Sequence, residues 1–282
     1  MSSPLNAYQT PEHQPFLWQG NQPAAALLVH GFPGTPAEMR PPAQVLHNAG
    51  WTVQGMLLPG FGAQFSEMNR YSQGDWVQAV REALVHLQQD YKTVVLVGNS
   101  VGAALALEVA AQQPPAGLIL FAPFWRGANR LLDLAYPLVR HFMQQLYPFQ
   151  KADFSDPKFR ASIKRIMADA DLDDPEVQAT VRNLGLPVRL LGQVREAGRL
   201  SYRAAAHVQA PVLVLQGQQD IVALPALTRQ LVQQLPKVAG YLEAPADHEF
   251  VYARTAAWPL VTALLQEFAQ TLTAVTEAGA PL

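Results

Sequence analysis

One serine of this sequence lies in a context that suits a nucleophile. Ser100 is the centre of the segment GNSVG at 98–102. A short apolar, β-branched run at 93–97 precedes it and an alanine- and leucine-rich run at 101–112 follows it, which predicts a strand, a sharp turn and a helix. In such a turn the glycines let strand and helix approach, and the serine hydroxyl projects beside a helix N-terminus. We therefore predict that Ser100 is the nucleophile of an acyl-transfer reaction.

An acid and a base follow Ser100 in the chain order that this arrangement requires. A serine hydroxyl is a weak nucleophile unless a base takes its proton and a carboxylate orients that base. Asp220 comes after an apolar run at 211–217, and His248 comes after a second predicted strand at 238–243. Both residues then lie past the carboxyl ends of strands, where open α/β sheets bind their ligands. The sequence therefore predicts a triad of Ser100, His248 and Asp220.

Two other residues compete for the roles of base and acid. His30 directly precedes a glycine-containing loop, and hydrogen bonds that hold this loop suit it better than action as the base. Asp247 is adjacent to His248 in sequence, and adjacent residues on one loop rarely orient each other's side chains. We therefore assign the base to His248 and the acid to Asp220.

The loop at 31–35 is predicted to complete the site. It follows a predicted buried strand, and its small residues allow it to bend towards the serine turn. Backbone N–H groups at these two places can donate to the oxyanion of a tetrahedral intermediate, so we predict the N–H groups of Phe32 and Val101 as donors. Thr35 and Glu38 have the spacing of a capping box with proline at the first helical position, which predicts that a helix starts there.

Together these motifs resemble the α/β-hydrolase superfamily, and within it the bacterial carboxylesterases and monoacylglycerol lipases. The resemblance rests on HGFPG at 30–34, LPGFG at 58–62, GNSVG at 98–102, residues 216–220 and His248. It implies a mostly parallel, doubly wound α/β sheet with an inserted helical cap, the triad and oxyanion donors named above, and a carboxylic ester hydrolase that needs no cofactor and no metal. Two residues depart from the family pattern, namely Phe61, where histidine is usual, and Ala103, where a second glycine is frequent.

The alternation of predicted strands and helices divides the chain into a core and an insertion. The stretch between two predicted buried strands is helical and more charged, which predicts a helical cap at 124–205 inserted into a core at 16–123 and 206–282. Prolines and polar residues predict a loose arm at 1–15.

Apolar side chains near the start of the cap are predicted to line an acyl-chain pocket. They are Phe124, Trp125, Leu134, Leu138 and Phe142. The alternative, that these side chains only pack the cap onto the core, stays open. The mixed polar and charged segment at 151–174 is predicted to be solvated rather than to bind a metal, because it contains no histidine.

Composition excludes several classes of protein. A formal net charge of −2 gives no basic surface for nucleic acid, and the lack of cysteine excludes disulfides and thiolate metal sites. The first residues lack the basic and apolar regions of a signal peptide, and no apolar run approaches the ~20 residues that span a bilayer. We expect a cytoplasmic protein whose partner is a small-molecule ester. The oligomeric state stays open.

The resemblance also sets the expected reaction. It implies cleavage of carboxylic esters of short-to-medium acyl chains, or of monoacylglycerols, through an acyl-enzyme on Ser100. A C–C bond hydrolase, an acyltransferase and a cofactor-free peroxidase share the fold and stay open as alternatives, as does a ligand-binding relative without catalysis. The presence of all three triad residues argues against that last alternative. Ser100, standing where haloalkane dehalogenases have aspartate, argues against dehalogenation.

Overall fold

A central β-sheet carries the residues of the predicted site. In the computed structural model, which describes residues 8–127, 130–167 and 170–277, the strands are, in chain order, β1 (Phe16–Trp18), β2 (Ala24–Val29), β3 (Thr52–Met56), β4 (Thr93–Asn99), β5 (Gly117–Phe121), β6 (Gln145–Leu146), β7 (Leu186–Pro187), β8 (Val212–Gly217) and β9 (Val238–Ala244). Seven of these form one sheet in the order β1-β3-β2-β4-β5-β8-β9. Its neighbouring strands are parallel except for β1 with β3.

The central strands are buried on both faces. Every residue of β2, β4, β5 and β8 is buried, as expected for apolar runs in a parallel sheet that is covered on both sides. Alternate residues of β2 belong to two separate hydrophobic clusters, because successive side chains of a strand point to opposite faces. The two clusters form the core on either side of the sheet.

Helices cover both faces of this sheet. Within the described residues the α-helices are, in chain order, α1 (Arg40–Asn48), α2 (Gln73–Asp90), α3 (Val101–Ala110), α4 (Arg130–Phe142), α5 (Pro157–Ile166), α6 (Pro175–Arg182), α7 (Val188–Ala205), α8 (Pro225–Val232) and α9 (Trp258–Glu277). Helices α2, α3 and α7 contribute to one cluster, and α1 and α9 to the other. The predicted doubly wound, mostly parallel α/β fold is thus confirmed.

Four of the described helices lie in the chain between β5 and β8. Helices α4 to α7 lie in this segment, and the two-residue strands β6 and β7 pair with each other antiparallel. Residues 128–129 and 168–169 of the predicted cap lie outside the described residues. Helix α7 packs against α3, which begins directly after Ser100, so the inserted segment is attached next to the candidate nucleophile.

The segment 8–14 is packed rather than loose. Tyr8 and His13 are both buried, and a short 3-10 helix spans Pro11–His13. The Tyr8 hydroxyl donates to the carbonyl of Pro33 at 2.9 Å, and the imidazole of His13 is hydrogen-bonded to the Thr35 hydroxyl at 2.7 Å. The prediction of a loose arm at 1–15 is therefore corrected for residues 8–14, because they pack against the loop at 31–35. Residues 1–7 lie outside the described residues.

Candidate active site

Ser100 lies on the sharp turn between β4 and α3. Its backbone has φ +53° and ψ −114°, a conformation that L-residues rarely adopt and that the surrounding structure must enforce. A Cβ on Gly98 would lie 2.5 Å from the Cα of Ala103, and one on Gly102 would lie 2.3 Å from the carbonyl oxygen of Val29. The two glycines are therefore required by the close approach of β4, α3 and β2, as the sequence predicts.

The structure brings Ser100, His248 and Asp220 together in one hydrogen-bonded line. The Nε2 atom of His248 lies 3.1 Å from the Oγ of Ser100, and its Nδ1 lies 2.7 Å from the Oδ2 of Asp220. An ionised carboxylate only accepts hydrogen bonds, so Nδ1 carries the proton and Nε2 is left to accept from the serine hydroxyl. This is the tautomer that a general base for Ser100 requires.

Asp220 is held by its own loop. Its Oδ1 atom accepts from the backbone N–H groups of Val222 and Ala223 at 2.8 and 2.9 Å, and the side chain is fully buried. The buried Gln216 side chain donates to Oδ2 at 3.3 Å and accepts from the Thr228 hydroxyl at 2.6 Å. These hydrogen bonds fix the orientation of the carboxylate towards His248. Sequence reasoning assigned no role to the Gln216 side chain.

His30 supports the loop at 31–35. Its Nε2 accepts from the backbone N–H of Leu58 at 3.1 Å, so its Nδ1 donates to the carbonyl of Gly31 at 2.9 Å. Burial lowers the pKa of His30 to about 4, because the imidazolium form would be desolvated. His30 therefore stays neutral at physiological pH, and the prediction that it holds the loop is confirmed.

Acidification from pH 7.5 to pH 5 is expected to lower the free energy of unfolding by about 2 kcal/mol through His30. The unfolded imidazole takes up a proton near pH 6.5, whereas the buried one stays neutral down to about pH 4. Stability is therefore lost as the pH falls through 6.5, and the loss stops growing below about 4. Urea unfolding of wild type and of His30→Gln, which does not titrate, measures this difference. Equal pH dependence of the two proteins would contradict the prediction.

Both residues predicted to supply the oxyanion donors lie near the nucleophile. Phe32 lines the same cavity as Ser100, and Val101 is the first residue of α3, where helical N–H groups lack intrahelical partners. The Phe32 ring packs edge-on against Phe61 at 6.1 Å between ring centroids. Phe61, the departure from the family pattern, is fully buried and also contacts the ring of His30. It therefore packs beneath the loop at 31–35.

Phe32→Ala is expected to lower kcat/KM by less than about 30-fold, because the role predicted for this residue depends on its backbone N–H and not on its side chain. Ser100→Ala, by contrast, is expected to remove activity almost completely. Steady-state kinetics of both variants, with circular dichroism to establish folding, give the comparison. A folded Phe32→Ala variant as inactive as Ser100→Ala would show that the aromatic side chain itself is needed.

A cavity of about 330 Å³ opens beside Ser100 and His248. The loop at 31–35 forms one wall of it, and parts of the chain that the sequence did not associate with the site form others. The segment 8–14 contributes Tyr8 and His13, and α5 contributes Ser162 and Lys164. The segment predicted to be merely solvated at 151–174 thus supplies part of the cavity wall.

In the part of the chain that the structure describes, none of the predicted pocket residues lines this cavity. Leu134, Leu138 and Phe142 on α4 are 74%, 65% and 81% exposed. Trp125 instead stacks on Tyr202 of α7, with 4.2 Å between ring centroids, and its indole N–H donates to a core carbonyl at 2.8 Å. The packing alternative therefore describes Trp125. Other residues of α4 contact α7 instead: Asp133 forms an ion pair with Arg195, and the Tyr136 hydroxyl donates to the carbonyl of Val188 at 3.3 Å.

Phe124 lies closer to the nucleophile than these residues. Its backbone N–H donates to the carbonyl of Ser100 at 3.2 Å, and its side chain is half-buried against the core. Phe124 therefore ties the start of the inserted segment to the turn that carries Ser100.

The predicted capping box at Thr35 is wrong. A 3-10 helix does begin at Pro36, but the Thr35 hydroxyl makes no capping bond and is hydrogen-bonded to His13 instead. The Glu38 carboxylate turns the other way and accepts from the backbone N–H of Gly31 and from the side-chain amide of Asn99. Glu38 is thus a residue of the site, and its spacing in the sequence suggested only a helix cap.

Helix length and polarity bear on membrane insertion. Within the part of the chain that the structure describes, every helix is too short or too polar to cross a bilayer.

Comparison with known proteins finds a protein of similar sequence and solved structures of similar fold. The chain is 41% identical over 101 residues to a thermostable monoacylglycerol lipase of Bacillus sp. (strain H-257), a match that covers 36% of this chain and 40% of the lipase. The matched segment therefore spans well under half of that relative's length.

Two solved structures share the fold at low identity. One, of the metagenome-derived lipolytic enzymes LipS and LipT, has a TM-score of 0.71 at 22% identity and covers 93% of this chain and 98% of its own. The monoacylglycerol lipase of Paleococcus ferrophilus has a TM-score of 0.68 at 18% identity, covering 92% and 98%.

The family match covers most of the chain. The model of the family described as serine aminopeptidase, S33 (Hydrolase_4) matches residues 20–249, a range that contains Ser100, Asp220 and His248. With the seven-stranded, mostly parallel sheet described above, this match agrees with the resemblance drawn from the sequence motifs. The chain therefore belongs to the Hydrolase_4 family of α/β-hydrolases.

Proposed function

We propose that this protein is a serine hydrolase that cleaves carboxylic esters of short-to-medium acyl chains or monoacylglycerols. The observation that carries the proposal is the continuous hydrogen-bonded line from Ser100 through His248 to the buried Asp220, at 3.1 and 2.7 Å. Nucleophile, base and orienting acid are within the reach that acyl transfer requires. Phe32 and Val101 serve as oxyanion donors.

The reaction proceeds through an acyl-enzyme. The Nε2 atom of His248 takes the proton of Ser100 as its Oγ attacks the ester carbonyl carbon, and the backbone N–H groups of Phe32 and Val101 stabilise the oxyanion. The imidazolium then protonates the leaving alcohol. In the second half, His248 activates a water that hydrolyses the acyl-enzyme, and Asp220 keeps the imidazole in the required tautomer throughout.

The size of the cavity supports a small substrate. A volume of about 330 Å³ lies at the lower end of the range of about 300–1,000 Å³ that is usual for small-molecule sites. A relative named as a monoacylglycerol lipase and a structural neighbour named as one agree with an ester of glycerol as one candidate substrate.

Hydrolysis of p-nitrophenyl esters across an acyl-length series tests the proposal. We expect turnover by wild type with an optimum among short-to-medium chains, and none by Ser100→Ala. The family description names an aminopeptidase, so alanine p-nitroanilide is the matched amide substrate. Monobutyrin, the butyric monoester of glycerol, is tested beside them. Cleavage of the anilide without cleavage of monobutyrin or of any p-nitrophenyl ester would overturn the assignment to esters.

A further inference from the structure

The carboxylate of Glu38 joins the two loops that carry the predicted oxyanion donors. Its Oε1 atom accepts a hydrogen bond from the backbone N–H of Gly31, and accepts another from the Nδ2 of Asn99 at 2.9 Å. Gly31 directly precedes Phe32, and Asn99 directly precedes Ser100, which is the residue before Val101. One oxygen atom thus connects the loop at 31–35 to the turn that carries the nucleophile.

The loop at 31–35 is shaped to admit this carboxylate. A Cβ on Gly34 would lie 2.4 Å from the Oε2 atom of Glu38, and one on Gly31 would lie 3.2 Å from Oε1. The same Cβ on Gly31 would lie 3.1 Å from the Cβ of Ser100. The two glycines therefore leave space for the Glu38 carboxylate beside Ser100. A side chain at either position would come into close contact with that carboxylate.

The same contact gives the Asn99 amide a partner for its Nδ2, whereas its buried Oδ1 accepts no hydrogen bond. Asn99 is buried, with 5% of the residue exposed. Burying an amide is unfavourable unless it finds a hydrogen-bond partner. The carboxylate supplies an acceptor for Nδ2, which fixes the orientation of the amide, because an ionised carboxylate cannot donate. The position before the nucleophile therefore holds an asparagine that binds Glu38.

We propose that Glu38 is a positioning residue that sets the distance between the N–H groups of Phe32 and Val101. The proposal rests on the proposed acyl-transfer chemistry at Ser100. Oxyanion donors lower the barrier only when they are already placed where the charge develops. Loosening the loop at 31–35 relative to the turn should therefore reduce stabilisation of the transition state more than binding of the substrate, and should lower kcat more than it raises KM.

Kinetics of Glu38→Ala, Glu38→Gln and Asn99→Ala test this role. We expect Glu38→Ala to lower kcat about 100-fold with KM changed less than about threefold. Glu38→Gln keeps an oxygen acceptor at the same place and is expected to retain kcat within about fivefold. The Glu38→Ala/Asn99→Ala double variant should be no worse than Glu38→Ala alone, because Glu38→Ala already removes the bond that Asn99 makes. Glu82→Ala, on the exposed face of α2, is the matched surface control.

Several outcomes would overturn the proposal. An unchanged kcat in Glu38→Ala, or a loss confined to KM, would show that the carboxylate does not position the donors. Glu38→Gln as impaired as Glu38→Ala would show that the negative charge matters rather than the bond. Multiplicative losses in the double variant would show that Glu38 and Asn99 act independently. Thermal unfolding of each variant separates these outcomes from a failure to fold.

Labelling by a fluorophosphonate separates this proposal from the proposed function. The probe reacts at the serine Oγ, which displaces fluoride, and this reaction uses the same oxyanion donors without needing a carboxylic ester. We expect labelling to slow in Glu38→Ala and to recover in Glu38→Gln, even if wild type cleaved no ester tested. Equal labelling rates in all variants would contradict the positioning role. No labelling of folded wild type would contradict both proposals.

Discussion

Ser100→Ala, His248→Ala and the double variant are each expected to lower kcat by about the same factor, on the order of 10⁶. The reason is that the hydroxyl and the imidazole act as one unit across the 3.1 Å hydrogen bond between them. Without the base the serine is not activated, and without the serine the base has nothing to activate. Residual catalysis would come from oxyanion donors and substrate binding alone.

Single-turnover and steady-state kinetics of the three variants measure these losses. Circular dichroism and thermal unfolding are the controls for folding, and each single substitution shortens a side chain that lines the cavity. Losses that multiply, so that the double variant falls far below each single one, would contradict the assignment of Ser100 and His248 to one catalytic unit.

Asp220→Asn is expected to lower kcat by roughly 10³–10⁴ while leaving the fold intact. The amide can still bind the Val222 and Ala223 N–H groups that now reach Oδ1 at 2.8 and 2.9 Å. It also presents an NH₂ group to His248, which favours the imidazole tautomer that carries its proton on Nε2. That proton faces Ser100 and blocks acceptance of the serine hydroxyl's proton.

Asp247→Asn is the matched control for this prediction. Asp247 is adjacent to His248, but its Oδ1 accepts from the backbone N–H of Glu249 at 3.0 Å and belongs to the turn. We expect near-wild-type kcat for Asp247→Asn. If the two variants exchanged these behaviours, the orienting carboxylate would be Asp247 and the assignment of Asp220 would be wrong.

The arrangement of the candidate triad could be predicted because it follows from local patterns. Ser100 directly follows β4, and Asp220 and His248 lie in the loops that follow β8 and β9. Parallel strands place their carboxyl ends at one edge of the sheet. Gly98 and Gly102 signal a close approach by their spacing alone. These features depend on short stretches of sequence, and the structure places the three side chains together.

The cavity walls could not be predicted, because they depend on contacts between distant parts of the chain. The Thr35 hydroxyl was expected to cap a helix, yet His13, which is 22 residues away, takes it. Glu38 was expected to complete the same cap, but its carboxylate accepts hydrogen bonds from Gly31 and Asn99. The spacing of residues within one segment does not show which residue from a distant segment will form a hydrogen bond with a given side chain.

The prediction that apolar residues of α4 line the pocket was wrong for a related reason. Leu134, Leu138 and Phe142 recur on one face of the helix, and such a face is usually buried. In this protein they are exposed, and α5 supplies Ser162 and Lys164 to the cavity instead. Periodicity identifies an apolar face, but the packing of the inserted segment decides where that face points.

The most direct test of the acyl-enzyme is its mass. Wild type and Ser100→Ala are mixed with p-nitrophenyl butyrate, quenched in acid during turnover, and analysed by intact-protein and peptide mass spectrometry. We predict that wild type gains the mass of one butyryl group on the peptide that contains Ser100, and that Ser100→Ala gains none and does not turn over. Turnover by Ser100→Ala, or a butyryl group on another residue of wild type, would contradict nucleophilic catalysis by Ser100.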